Sequence, residues 1–165
     1  MLISDDALRA MYREGRGNPT ARRYARFWAR VFDLGLAPKR WVTLEVKGRS
    51  SGRIARYPLG MADHDGRWYL VPMLGAKCGW VKNVRAANGE VILRHWRGKP
   101  YRLTELPETE RPEILQRYLE KVPGARPHFP VGRGASLDSF AAVAADYPVF
   151  RADPLPQGRK GPGVS

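Results

Sequence analysis

Apolar and polar positions alternate with two different periods along this chain, and the periods mark its elements. From Ala21 to Leu34 the apolar residues Tyr24, Phe27, Trp28, Val31 and Phe32 recur at helical spacing. Arg22, Arg23, Arg26 and Arg30 fall mostly on the other side. The pattern predicts a helix over 20–34, with Thr20 as its N-cap and Gly35 and Pro38 ending it. From Trp41 the period changes to two: Trp41, Thr43 and Glu45 alternate with Val42, Leu44 and Val46, as in a half-buried strand. Ile54, Tyr57, Leu59 and Met61 suggest a second strand, and Asp65-Gly66 a hairpin turn.

A strand is expected from Trp68 to Met73, a loop over Leu74–Gly79, and a short helix over Trp80–Ala87 closed by Asn88-Gly89. Val91 to Trp96 reads as a strand, Arg97–Pro100 as a turn, and Tyr101–Leu106 as the returning strand. A helix then runs to Lys121 with Ile114, Leu115, Tyr118 and Leu119 buried and Pro112 in its first turn. Pro123–Pro130 is a proline-rich loop. Ser136 caps a second short helix that turns Leu137, Phe140, Val143 and Ala144 inward, and Tyr147–Phe150 reads as the last strand. Near the start, Asp5 to Arg13 has the makings of a short helix. Antiparallel hairpins with helices at the periphery make the class α+β, a small barrel or curled sheet whose closure the strand order leaves open. The expected division is a polar segment over 1–19, one domain over 20–152, and a tail over 153–165. That tail is Pro, Gly and charge with nothing to bury, and is expected to be disordered.

Charge changes this picture more than length does. The 165 residues suit one domain with a proper core. A formal net charge of +13 calls for an anionic partner: a phosphorylated cofactor, an acidic lipid surface or nucleic acid. A nucleic-acid partner is not expected, because the arginines are dispersed and no reader motif occurs. The 20–34 helix either covers a sheet with solvated arginines or lies on an anionic membrane with Phe27 and Trp28 in the interface. Cys78 is the only cysteine, so no intrachain disulfide forms and no metal site is expected. Met1–Asp6 does not read as a signal peptide and no stretch is long and apolar enough to span a bilayer. The expected location is cytoplasmic, with peripheral attachment to the inner face of the membrane through helix 20–34.

Two stretches carry candidate chemistry. In Val46–Leu59 a turn over Gly48–Gly52 is studded with positive charge. Its amides, the hydroxyls of Ser50 and Ser51, and Lys47, Arg49, Arg53 and Arg56 form either a solvated hairpin or a cradle for an anion. In Pro72–Ala87 a glycine-bracketed loop leaves a strand and enters a helix, where free amides can meet a planar heterocycle or an anion. Trp80 offers a flat wall there, Lys77 and Lys82 offer charge, and Asn83 can both donate and accept. The alternative places Trp80 in the core and makes Asn83 a loop brace.

Together these stretches carry a resemblance. Lys-Gly-Arg-Ser-Ser-Gly-Arg with Pro58-Leu59, then Asp65-Gly66 with Tyr69-Leu70-Val71, then Gly75 with Trp80-Val81-Lys82-Asn83-Val84-Arg85-Ala86-Ala87, resembles the deazaflavin-dependent nitroreductase family. The likeness covers roughly 42–106 and more loosely 123–150. It implies a split β-barrel, coenzyme F420 as cofactor, and hydride transfer from its reduced form to a quinone, enone or nitroaromatic. It places Arg49, Ser50, Ser51 and Gly52 on the cofactor's phosphate and oligoglutamate tail, with Lys47, Arg53 and Pro58 beside them. Pro72, Met73, Leu74, Gly75, Ala76 and Lys77 face the ring, and Trp80 and Asn83 shape that end. Tyr147 is the implied proton donor, ahead of Tyr57, Tyr118 and His128.

This chain departs from the family pattern at Ser50 and Ala55, where members carry basic residues, and in a shorter loop before Trp80. Arg53 and Arg56 are the neighbouring substitutes, but strand alternation turns Arg56 to the face opposite Ala55. The resemblance leaves three alternatives open: FMN in place of F420, a bound fatty acid or other apolar anion without redox activity, and a homodimer.

Overall fold

The computed structural model describes residues 12–13, 16–17 and 19–157. Tyr12–Arg13 (β1) pairs antiparallel with Arg16–Gly17 (β2), so the end of the helix expected over 5–13 is strand; the rest of that stretch lies outside the described residues. The first helix, α1, is Pro19–Asp33. It opens at Pro19, whose fixed φ suits a first helical position, which puts the expected cap Thr20 inside the helix.

Six further strands close a barrel: β3 (Trp41–Lys47), β4 (Ile54–His64), β5 (Arg67–Leu70), β6 (Glu90–His95), β7 (Arg97–Glu105) and β8 (Phe150–Pro154). Their order around it is β3-β4-β5-β8-β7-β6, every pairing antiparallel, with β6 returning to β3. Three helices join α1: α2 (Gly79–Ala86), α3 (Arg111–Lys121) and α4 (Leu137–Val143). Closure, open from the sequence, removes both sheet edges. The fold is an α+β split barrel, as the resemblance implies, with helices at the periphery, as the hairpin pattern predicts.

Register decides which residues line the barrel. Leu44 stands opposite Leu93 on one side and Tyr57 on the other, Leu70 opposite Phe150, and Leu103 opposite Ala152. These side chains and Trp80 from α2 make the inner core, with Leu44, Leu70 and Val81 fully enclosed. A second core lies outside the wall, where α3 and α4 bring Leu115, Tyr118, Leu119 and Phe140 onto Ala62 and Tyr69. α1 covers β3: Phe32 stacks on Trp41 at 5.8 Å, and Thr43 Oγ1 donates to Ala29 O at 3.3 Å. Thr43 is therefore buried although the alternation puts it on the outer face.

Two expected turns behave differently. Asp65-Gly66 is a tight turn with both φ positive, 48° and 72°, as a two-residue hairpin loop requires. The turn expected over Arg97–Pro100 is instead strand. The chain reverses at Trp96, held at φ 64°. Gly98 belongs in β7 because Ile92 Cγ2 and Arg94 Nη2 lie 2.8 and 2.9 Å from where a Cβ would stand.

Other boundaries also move. β5 stops at Leu70, short of the expected Met73. The proline-rich loop contains a 3-10 turn over Pro123–His128. The last strand is Phe150–Pro154 rather than Tyr147–Phe150, since Phe150 and Ala152 are the residues that fill the barrel. Asp153 and Pro154 pair with Arg102 and Tyr101, so the expected tail cannot begin at Asp153. Residues 158–165 lie outside the described part. The Ser136 cap forms as expected, its Oγ accepting from Ser139 N at 3.2 Å. Among the described residues no helix is long and apolar enough to cross a membrane.

Candidate functional site

The two stretches singled out by their chemistry meet. Arg49 makes the junction: its backbone N–H and its Nη1 both donate to Asn83 Oδ1, at 3.2 and 2.7 Å, and Nη1 also reaches Gly79 O at 3.4 Å. Because both Arg49 groups can only donate, the Asn83 oxygen must face them. The Asn83 amide nitrogen then points the other way and donates to Tyr57 Oη at 3.0 Å. Asn83 is buried on α2, Tyr57 half-buried on the inner face of β4. The 48–52 loop is held in shape by Gly48 N to Arg53 O at 2.7 Å and by Ser51 Oγ, which accepts from Arg53 N at 3.2 Å. Ser50, Ser51, Gly52 and Arg53 are exposed on its tip, and Lys47 lies exposed at its foot.

The second loop leads from β5 to α2. Pro72 is buried and Gly75 N donates to Pro72 O at 3.0 Å. Gly75 sits at φ 76° with Asp146 O 2.8 Å from where a Cβ would be, so only glycine fits. A 3-10 turn over Gly75–Lys77 leads to Cys78, which precedes α2. Leu74 packs on the barrel core and Met73 on the outer core, so this loop bridges the two. Ala76 is half-buried and Lys77 exposed beside the start of α2.

The expected site residues do not all converge. Trp80 is 4% exposed, its ring tilted against Phe150 at 5.6 Å. It anchors α2 from inside the barrel. Pro58 stands opposite Thr43 on the outer face of β4, away from Tyr57. Arg56, offered by the sequence as a substitute cation, pairs with Asp33 at 2.6 Å and Glu45 at 3.1 Å on that same outer face, so it is committed elsewhere. Tyr147 does lie beside the second loop, its Cε1 4.0 Å from a Cβ built on Gly75. Its hydroxyl donates to His128 O at 3.3 Å and its ring stacks on Phe129 at 4.1 Å. Burial raises the Tyr147 hydroxyl above its ordinary range, and pushes the Cys78 thiol up to about 11, so Cys78 is an inert packing group.

The basic residues of this corner are not neutralised by carboxylates. No acidic residue occurs over 46–62 or over 66–89. Lys47, Arg49, Arg53, Lys77 and Lys82 accordingly have no carboxylate partner among the described residues. Arg40, Arg56, Arg85, Arg94, Arg102, Arg111, Arg117 and Arg151 each hold one, Arg56 and Arg85 reaching carboxylates outside those intervals, whereas Arg22, Arg23, Arg26 and Arg30 on α1 have none among the described residues. The acid-free intervals are legible in the sequence beside the positive charge of the 48–52 turn, although two of their arginines, Arg56 and Arg85, reach carboxylates from other segments. Among the described residues no cluster of His, Cys, Asp or Glu can hold a metal ion.

Fold and site together define an α+β split β-barrel whose short second helix meets a basic loop at Arg49, a cation held by an amide rather than a carboxylate. Comparison with known proteins gives the family. A family model described as F420H(2)-dependent quinone reductase matches residues 20–128, and the chain belongs to that family. It is an F420H2-dependent reductase.

Solved structures share the barrel. One described as a domain-swapped dimer is 19% identical over 82% of this chain and 100% of its own, with a TM-score of 0.51. A putative 5-nitroimidazole antibiotic resistance protein from Bacteroides thetaiotaomicron is 9% identical over 76% and 78%, with a TM-score of 0.50. An F420-H2 dependent reductase, FDR-A, is 20% identical over 70% and 95%, with a TM-score of 0.47. No curated protein matches the chain.

Proposed function

We propose that this enzyme uses reduced F420 to reduce a quinone, an enone or a nitroaromatic, and that the cofactor sits on the rim formed by the 48–52 loop and the start of α2. The observation that carries the reading is Arg49, held by the neutral Asn83 among Lys47, Arg53, Lys77 and Lys82, none of them with a carboxylate partner among the described residues. A phosphate and an oligoglutamate tail are multiply anionic, and unpaired cations meet them without first breaking an ion pair. The residues present therefore fit the group. When bound, reduced F420 supplies the hydride.

The protein's own tasks are to hold, orient and supply a proton. Arg49 is pre-oriented by Asn83, so little side-chain freedom is lost when an anion arrives. The exposed Lys47, Arg53 and Lys77 are free to follow a flexible tail. Leu74 and Ala76 present a small apolar surface beside the start of α2 for a ring. Tyr147 flanks that surface as the proposed proton donor; in that role it releases its bond to His128 O.

Titrating oxidised F420 into the protein, with FMN in parallel, and then following turnover with menadione tests the reading. Saturable F420 binding with quinone-dependent oxidation of the reduced form is expected. Binding of FMN alone, or no oxidation by any of the three acceptor classes, overturns it. A fatty acid inside the barrel is disfavoured, because Leu44, Leu70, Val81 and Phe150 fill the interior.

The proposal extends to location and assembly. Tyr24 and Phe27 are exposed on α1 among Arg22, Arg23, Arg26 and Arg30, and Leu34, Leu36 and Trp96 are exposed near its end. This mixture suits the inner, anionic face of a membrane, where a lipid-soluble quinone would be found. Sedimentation with vesicles should depend on anionic lipid; binding indifferent to lipid charge, or none, contradicts it. The neighbour described as a domain-swapped dimer supports a homodimer, which light scattering tests: a single-chain mass ends that part.

A further inference from the structure

We infer that Tyr57 is a ligand-binding residue: it is the last link of a one-way chain of hydrogen bonds, Arg49 to Asn83 to Tyr57, and donates its own O–H to an acceptor atom on the ring of the bound cofactor. The inference rests on the cofactor seat proposed above and adds a residue to it. Direction is the main argument. Arg49 only donates, Asn83 Oδ1 accepts twice, Asn83 Nδ2 donates onward, and Tyr57 Oη accepts at 3.0 Å. With its acceptor role filled from Asn83, Tyr57 has one group left, the hydroxyl hydrogen. Among the described residues that hydrogen has no acceptor.

The other candidate phenols differ. Tyr147 gives its hydrogen to His128 O, and Tyr118 is sealed in the outer core against Phe129. Tyr57 is half-buried, its ring packed on the inner core and its oxygen beside Gly79, which carries no side chain to cover it. Each donor in the chain polarises the next, so a guanidinium at the head strengthens the phenol at the end. Burial also raises the Tyr57 hydroxyl above its ordinary range, which keeps the hydrogen in place at neutral pH. The chain runs from the cationic loop toward the barrel, so the charged part of a ligand and its ring have separate places along it.

The test is titration of oxidised F420, followed by its absorbance and fluorescence, into the wild type and Tyr57→Phe. Loss of one such bond should weaken binding about tenfold and shift the cofactor's absorption band. Asn83→Asp offers the phenol an inward acceptor, so it should remove the same bond while keeping the hydroxyl. The added charge weakens binding in either background, but in a double-mutant cycle the two substitutions should overlap rather than multiply. Tyr57→Phe binding within about twofold of wild type with an unchanged band, or a fully multiplicative cycle, overturns the inference. Arg49→Ala, with its larger expected effect, separates the two proposals. If it weakens binding while Tyr57→Phe does not, the seat stands and the phenol's role falls. If the wild type binds no F420, both fall.

Discussion

Two sets of basic residues in this barrel have opposite surroundings. Around Glu45 on the outer face of β3, Arg94 and Arg56 converge on one carboxylate at 2.8 and 3.1 Å, and Arg56 also holds Asp33. Around Asn83, Arg49 is held at a similar distance, 2.7 Å, by a neutral amide. The first set is neutralised and ties strands together. The second is oriented without being neutralised. A carboxylate partner would hold Arg49 more strongly and would compete with an anionic ligand for the same guanidinium; an amide orients it and leaves the charge unspent. The net charge of +13 thus includes a group of cations kept bare where 46–62 and 66–89 lack acids.

Substitutions in each set should separate stability from binding. Glu45→Gln is expected to have a large effect, about 2 kcal/mol of stability in denaturant unfolding, because it removes the ion pair of Arg94 and leaves Arg56 with Asp33 alone. Cofactor affinity should hardly change in that variant. Arg49→Ala should do the reverse: about 2 kcal/mol of cofactor binding, roughly thirtyfold in titration, with a smaller loss of stability.

Asp63→Asn is a weaker probe of the neutralised set. Its carboxyl accepts from Arg117 and Arg40, at 2.9 and 2.7 Å, and these bonds hold it well below the usual carboxylate range. A depressed native value means its contribution is complete above the unfolded-state value near ~4 and is lost as the pH falls through that range toward the native value. Removal should cost about 1 kcal/mol, as both bridges are partly exposed, and should flatten the acid limb of the stability–pH curve. Arg53→Ala should have the smallest effect, about 0.5 kcal/mol in cofactor binding, and the difference from wild type should shrink as salt rises.

The sequence disclosed the fold better than the site, for physical reasons. Strand alternation survives wherever one face is buried, which is why β3, β4 and the Asp65-Gly66 turn were readable. Trp96 was not readable as a reversal, because nothing in a tryptophan's chemistry announces a positive φ. The last strand slid because Asp153 and Pro154 look like breakers, while the barrel needs Phe150 and Ala152 as filler. At the site, residue type showed that Arg49 and Asn83 suit ligand chemistry. Alternation turns Arg56 to the face opposite Ala55, as observed, but it did not show that Asp33 and Glu45 would hold Arg56 there or that Tyr57 would meet Asn83. A strand's two faces are fixed by register, and register is set by partners far along the chain.

The most direct test of the bare-cation account is F420 affinity measured across a series of salt concentrations. The account predicts saturable binding whose logarithm falls steadily with the logarithm of salt, and a shallower slope in Arg49→Ala. Binding insensitive to salt, or a slope unaltered by removing Arg49, would contradict it.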